Sequence, residues 1–357
     1  MIDRGSADRE AWITCIGHTL PGPPLPQADV ISWLHQRLAA GINPERLQRF
    51  ADHSGVGHRH AAIDLLGGEG DAIYPIGRPH ADALVRSRAF VRLAAPLAAA
   101  AVRAACPEGV GEISHLVVAT CTGAVAPGLD LQLIELLGLP RSVRRTMIGF
   151  MGCYAALPAL RNAADIVRAD PTARVLVVCC ELSSLHFQTG PDDGALVAAC
   201  LFGDGAAAAV VEGRPSGRRL RMVRDACMVA PNSSDSMAWI AASDGFRLTL
   251  APTIAASLGA VLPELSQRVL SDLRPDEVKW IVHPGGPRIL DGVERVLELP
   301  PAALQTSRAA LHAAGNRSSS TVLAILSDVC ESSWSGPVVL YAFGPGLTAE
   351  SCLLDRQ

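Results

Sequence analysis

Gly149-Phe150-Met151-Gly152-Cys153-Tyr154-Ala155-Ala156 is the stretch whose reading decides the fold. It sets a thiol directly after a glycine, where an alanine-rich helix begins and runs to about Ala169. Unpaired N–H groups at a helix start favour an anion, and the thiolate is the nucleophilic form of cysteine. Pro158 fits that helix only within its first turns, since deeper in it would force a kink. The order of strand, reactive turn and helix recurs in the second half. There Trp280-Ile281-Val282-His283-Pro284-Gly285-Gly286-Pro287 closes a strand on an imidazole, and Gly315-Asn316-Arg317-Ser318-Ser319 opens a helix on a carboxamide. A soft nucleophile, a titratable ring and a neutral amide donor are what acyl transfer through a thioester requires.

Outward from these turns, apolar runs alternate with helical spacing. The first half reads as a strand over Ala11–Leu20, helices over Gln27–Ala40 and Pro44–Ala51, and an irregular covering segment over 52–80. A long helix (Ala81–Cys106), a strand (His115–Cys121), a helix (Leu129–Leu137), a strand (Arg174–Cys180), a helical 194–201 and the run Gly205–Val211 follow. The second half reads as a strand near 219–229, a helix over Thr253–Leu270, a strand over Val278–Val282 and a helix over Ile289–Leu297. A helix from the Asn316 turn to Cys330 and strands over Val338–Phe343 and Thr348–Leu354 complete it. Such alternation implies layers of helix and sheet, an α/β class with an internally duplicated α/β/α plan. The polar stretch 214–219 is the best cut, giving an N-terminal half 1–215 with the cysteine and a C-terminal half 216–357 with the histidine and asparagine.

With 357 residues, 49% apolar and 18% charged, the chain can bury a large interior, and its alanine content with 4% aromatics points to close packing of small side chains. A net charge of −4 argues against nucleic acid or an anionic membrane surface as partner. The ten cysteines include no CxxC pair, and Cys179-Cys180 sit inside an apolar run, so they read as reduced thiols. Met1–Glu10 lacks a signal-peptide core, and no apolar run reaches the ~20 residues of a membrane helix. A cytoplasmic protein without membrane insertion is expected. His53, His58 and His60 have no Asp, Glu or Cys at matching spacing and read as a basic surface loop, so no metal is expected. Gly203-Asp204-Gly205 lacks the full dinucleotide fingerprint and reads as a turn into a strand.

Taken singly, each reactive residue has an ordinary explanation. Free cysteine is usually a small buried hydrophobe, His283 could be a loop histidine, Asn316 a helix N-cap, and Phe202 a core aromatic. Five blocks in order argue otherwise: Gly152–Ala156, Leu201-Phe202-Gly203-Asp204-Gly205-Ala206-Ala207-Ala208, His283–Asp291, Gly315–Ser319 and Phe343-Gly344-Pro345-Gly346-Leu347-Thr348. With a separation of 33 between His283 and Asn316, they resemble the type III polyketide synthases, the chalcone synthase-like group of the thiolase superfamily, from about Trp12 to Leu354.

That resemblance implies a thiolase fold of five layers, α/β/α/β/α, a homodimer, and a buried cavity reached through a pantetheine tunnel. It implies Cys153 as nucleophile, His283 and Asn316 as its partners, and Phe202 as gatekeeper. It places cavity positions at Cys121, Ser183, His186, Ala198, Leu248 and Ser318, and CoA contacts at Arg46, Arg49 and Arg288. Acyl-CoA and malonyl-CoA are the implied substrates, with no cofactor. Cys121 and His186 stand where plant members usually have threonine and resemble bacterial members, and Leu248 replaces an aromatic, which favours an aliphatic starter and an alkylpyrone or alkylresorcinol product. Two other readings stand beside it. A β-ketoacyl-acyl carrier protein synthase shares Cys, His and Asn but typically has Gln-Ala-Asn after its histidine. A non-catalytic thiolase-like subunit commonly lacks the cysteine.

Overall fold

The computed structural model describes residues 10–213, 220–251, 253–300 and 302–356; the stretch 214–219 read as a boundary lies outside them, as do residues 1–9. In chain order the first half comprises β1 (Trp12–Thr19), β2 (Leu25–Pro26), α1 (Gln27–His35), α2 (Pro44–Asp52), β3 (His58–Arg59), α3 (Gly68–Ile73) and α4 (Ala83–Ala105). It continues with β4 (His115–Thr120), α5 (Leu129–Leu137), β5 (Arg144–Gly149), α6 (Ala156–Ala169), β6 (Arg174–Leu182), α7 (Asp193–Leu201) and β7 (Asp204–Glu212). The second half comprises β8 (Leu220–Val229), β9 (Met237–Ala242), β10 (Gly245–Leu250), α8 (Ile254–Leu270), β11 (Lys279–Val282) and α9 (Pro287–Val296). Then come α10 (Gln305–Ala314), α11 (Ser320–Glu331), β12 (Val338–Gly344) and β13 (Thr348–Arg356).

The large sheet runs β11-β12-β13-β8-β1-β7-β6-β4-β5. Its junction between β8 and β1 is only Trp12 opposite Arg221 and Ile13 opposite Leu220, so it behaves as two sheets joined at a corner. The order β1-β7-β6-β4 on one side is matched by β8-β13-β12-β11 on the other. Helices α6 and α11 pack between the two sheets, α4 covers the outer face of the first, and α8 the outer face of the second. That is the α/β/α/β/α plan. The alanine run of β7 shows why small residues are used. Ala206 and Ala208 face the α4 side while Ala207 and Ala209 face the central layer, all buried. With helices on both faces, alternation of polarity disappears and a continuous apolar run is what remains.

Several elements differ from the sequence reading. The first helix stops at His35 instead of Ala40, because Arg37 turns inward over the Trp33 ring and donates to Trp33 O and Tyr74 O. The edge strand β5, the hairpin β9–β10 and α10 lie outside the expected elements, although Phe246, Leu248 and Leu250 alternate with Arg247 and Thr249 along β10 and α10 buries Ser307, Leu311 and Ala314 on one face. The segment 52–80 was expected as a covering loop, basic on its surface. In fact Arg59 and Tyr74 are fully buried within it and His60 is buried, because they satisfy backbone oxygens of neighbouring elements.

Candidate active site

Cys153 sits in a short tight helical turn (Gly152–Tyr154) running into α6, and Pro158 falls in the first turn of α6, where its missing N–H costs nothing. Phe150 (φ 56°) and Gly152 (φ 77°) are both in the left-handed region. A Cβ at position 152 would stand 2.4 Å from Pro345 Cδ, so glycine is required there for space as well as conformation. Gly152 N–H donates to Cys121 Sγ at 3.0 Å.

Cys153, His283 and Asn316 line one cavity of about 730 Å³, counted with its mouth. Cys153 Sγ lies 4.0 Å from both the Oδ1 and the Nδ2 of Asn316. The amide is oriented: Ser318 N–H donates to Asn316 Oδ1 at 2.8 Å, which leaves Nδ2–H as the group free to serve the cavity. Asn316 is therefore no helix cap; α11 starts at Ser320, and its cap position is Ser319. His283 is buried, and neither ring nitrogen has a hydrogen-bond partner among the described residues.

Burial dominates the electrostatics. It pushes the Cys153 thiol up to about 12, opposed by hydrogen bonding from Ser318 and Asn316. It pushes His283 down to about 3, and the nearby Arg317 cation adds to the effect. Each shift disfavours a lone charge. A helix start by itself favours the thiolate, and burial outweighs that help for the isolated thiol. A proton passed from Sγ to the imidazole creates both charges at once, and these attract one another.

Phe202 lines the same cavity. It sits at the end of α7 and is tied to Asn316 by a two-bond backbone bridge, Asn316 N–H to Leu201 O at 2.8 Å and Gly203 N–H to Asn316 O at 3.0 Å. The approach needs glycine on both sides: a Cβ at Gly203 would stand 2.9 Å from Ala314 O, and one at Gly315 2.9 Å from Leu201 O.

Of the expected cavity positions, Cys121, Ser183, Leu248 and Ser318 line the main cavity, whereas His186 and Ala198 line only a smaller neighbouring one of about 290 Å³. His186 is pinned there, with Nε2 2.8 Å from Thr122 O and Nδ1 accepting from Phe246 N–H at 3.3 Å. Arg46 pairs with Asp193 at 2.5 Å, while Arg49 and Arg288 are exposed; none of the three lines either cavity. Sequence reasoning missed Trp239, which lines both cavities and donates its indole N–H to Cys121 O at 2.8 Å. It also missed Glu181, a fully buried carboxyl that accepts from Ser319 Oγ (2.5 Å), Thr122 Oγ1 (2.8 Å) and Cys121 N (3.0 Å). Burial raises its pKa above the usual carboxylate range against those bonds. Its only signal in sequence was a charge inside an otherwise apolar strand. Among the described residues no three metal-ligating side chains gather, and no helix is long and apolar enough to cross a membrane.

A cysteine, a histidine and an asparagine meeting in one cavity of a duplicated α/β/α/β/α fold place the chain among thiolase-fold proteins. Comparison with known proteins narrows the class. Residues 3–215 match the family model described as chalcone and stilbene synthases, N-terminal domain, and residues 228–356 match the corresponding C-terminal domain. The chain belongs to the chalcone and stilbene synthase family, the type III polyketide synthases. It is 29% identical over 369 aligned positions to probable polyketide synthase 1 of Dictyostelium discoideum, covering 98% of this chain but only 12% of that much longer relative. Among solved structures it resembles the C-terminal type III polyketide synthase domain of Steely1, a type I/III hybrid from Dictyostelium, with a TM-score of 0.90, 28% identity, and coverage of 97% of this chain and 99% of that one. It equally resembles PKS-I from the brown alga Ectocarpus siliculosus, with a TM-score of 0.90, 29% identity, and coverage of 99% and 100%.

Proposed function

We propose that this chain loads an acyl group from an acyl-CoA starter onto Cys153, extends it iteratively with malonyl-CoA, and cyclises the product to an alkylpyrone or alkylresorcinol, with no cofactor. The observation that carries this reading is the meeting of Cys153, His283 and Asn316 in one cavity with Phe202 on its wall. In loading, His283 takes the Sγ proton as sulfur attacks the thioester carbonyl, and the proton leaves with CoA. The neutral imidazole then retains one N–H. Malonyl-CoA loses CO2, and the enolate oxygen is held by that N–H and by Asn316 Nδ2–H. The enolate carbon attacks the Cys153 thioester, a C–C bond forms, and the thiolate departs. The apolar Phe202 ring disfavours the malonyl carboxylate relative to neutral CO2 and excludes water.

The aliphatic starter is supported by the walls, where Met237, Leu248, Leu250 and Ile254 face the cavity. Exposed Leu131, Leu136, Met147 and Phe150 on and beside α5 and edge strand β5 support a homodimer. Arg49 and Arg288, exposed, and Arg46, beside Asp193, are proposed to meet CoA phosphates. The halves 1–215 and 216–357 act as two thiolase-like units. The test is incubation of purified protein with a panel of acyl-CoA starters and labelled malonyl-CoA, without carrier protein. Extended products are expected with aliphatic starters, and none with Cys153→Ala. Turnover only with an acyl carrier protein, or inert Cys153, would overturn the reading.

A further inference from the structure

Arg59 takes no part in the chemistry above, yet it is fully buried a short way behind it. Its N–H groups are spent on neutral oxygens. Nη1 donates to Ala199 O at 2.5 Å and Phe202 O at 3.0 Å, Nη2 to Cys200 O at 2.8 Å, and Nε to Gln27 Oε1 at 3.0 Å. Nη2 also donates to the same Gln27 oxygen. Gln27 Nε2–H in turn reaches Cys200 O at 2.9 Å. Burial lowers the guanidinium to about 10, far enough above neutrality to keep its charge. The last carbonyls of a helix are its negative end, and a planar fork of donors can satisfy several of them where an ammonium cannot.

The segment around Arg59 is itself anchored. Gly57 N–H donates to His312 O at 2.9 Å, Asp204 N–H to His60 O at 2.8 Å, and Ala62 N–H to Asp204 Oδ2 at 2.8 Å. Residues 57–62 thus grip both sides of the Phe202–Asn316 bridge.

We propose that Arg59 is a positioning residue: by holding the final carbonyls of α7 it sets the angle at which Phe202 faces the Cys153 cavity, and through the bridge from Leu201 and Gly203 it sets where Asn316 stands. The inference rests on the proposed roles of Phe202 and Asn316 in decarboxylation. It separates two steps. Loading needs Cys153 and His283, which Arg59 does not touch; CO2 release needs the groups it positions.

The experiment compares wild type with Arg59→Lys for thermal unfolding, acyl loading on Cys153 by intact mass, CO2 release from malonyl-CoA, and chain length of products. In folded Arg59→Lys, loading is expected to stay within about threefold while kcat for CO2 release falls roughly ten- to hundredfold, as for misplacement of about 1 Å. Shorter, prematurely released chains accompany the loss. Equal losses in loading and CO2 release, or no loss in either, overturn the inference. Should Arg59→Lys not fold, Gln27→Met withdraws one partner and leaves the guanidinium; the same asymmetry is expected at smaller size, and symmetric loss or no loss overturns the proposal. A wild-type chain that neither loads nor decarboxylates removes the proposed function and this inference together. A competent wild type with symmetric variants removes the inference alone.

Discussion

The turn carrying Cys153 and the loop carrying Asn316 bound one cavity, but different forces hold them. On the Cys153 side, left-handed backbone at Phe150 and Gly152 directs the chain, and the absent Cβ at 152 admits Pro345. On the amide's side the hold comes from afar. Glu181 accepts from Ser319 Oγ across 138 residues of sequence, and Leu201 O accepts from Asn316 N–H. Ser318 is kept at φ 49°, a conformation a serine adopts only when neighbours over-determine it. The place of Cys153 is written mostly in adjacent residues, and that of Asn316 in distant partners.

Three measurements break or sharpen that contrast. The largest effect is expected for Asn316→Ala: CO2 release from malonyl-CoA should fall about 10²–10³-fold, as for loss of an oxyanion donor, while acyl loading measured by intact mass changes little. Equal losses would show that the two sides do not act separately. Next, His283→Ala leaves a lone half-buried thiol whose pKa desolvation holds high, so iodoacetamide alkylation at neutral pH should drop at least about tenfold. Because a raised pKa leaves the thiolate to form only as pH rises, the variant's rate should climb steadily toward alkaline pH. The wild type, able to pass its proton to the imidazole, should show a shallower profile. Equal slopes would mean the two groups do not share that proton. The smallest effect is expected for Gly152→Ala, which puts a Cβ against Pro345 at positive φ and should cost about 1–3 kcal/mol in urea unfolding. An unchanged midpoint would show that the Cys153 turn yields more easily than its geometry implies.

Much of this was legible in the chain. Strand–turn–helix punctuation around Cys153 and His283, and the turn that opens a helix at Asn316, depend on local chemistry, where glycine, proline and apolar runs act over a few residues. The layered plan followed from alternation of elements, because β7 and β6 could only be so continuously apolar between two helical layers. Less was legible where partners are remote. Arg59 read as part of a basic surface loop, since nothing beside it announces the carbonyls of Ala199, Cys200 and Phe202 that bury it. His186 read as a cavity residue, and its bonds to Thr122 and Phe246 place it in the adjoining pocket instead. Trp239 went unseen because its own strand, Met237–Ala242, is apolar throughout without alternation, and its indole is aimed by a carbonyl 118 residues away.

By itself, then, the order of amino acids determined the reactive side chains, the turns that present them, and the family they belong to, because these are properties of short contiguous stretches. Tertiary structure alone decided which oxygen of the fold fills each buried donor, which way the Asn316 amide points, and how the cavity is partitioned. Hydrogen bonds and desolvation act between groups that only folding brings together, and a buried charge such as Arg59 or Glu181 acquires its meaning from what surrounds it.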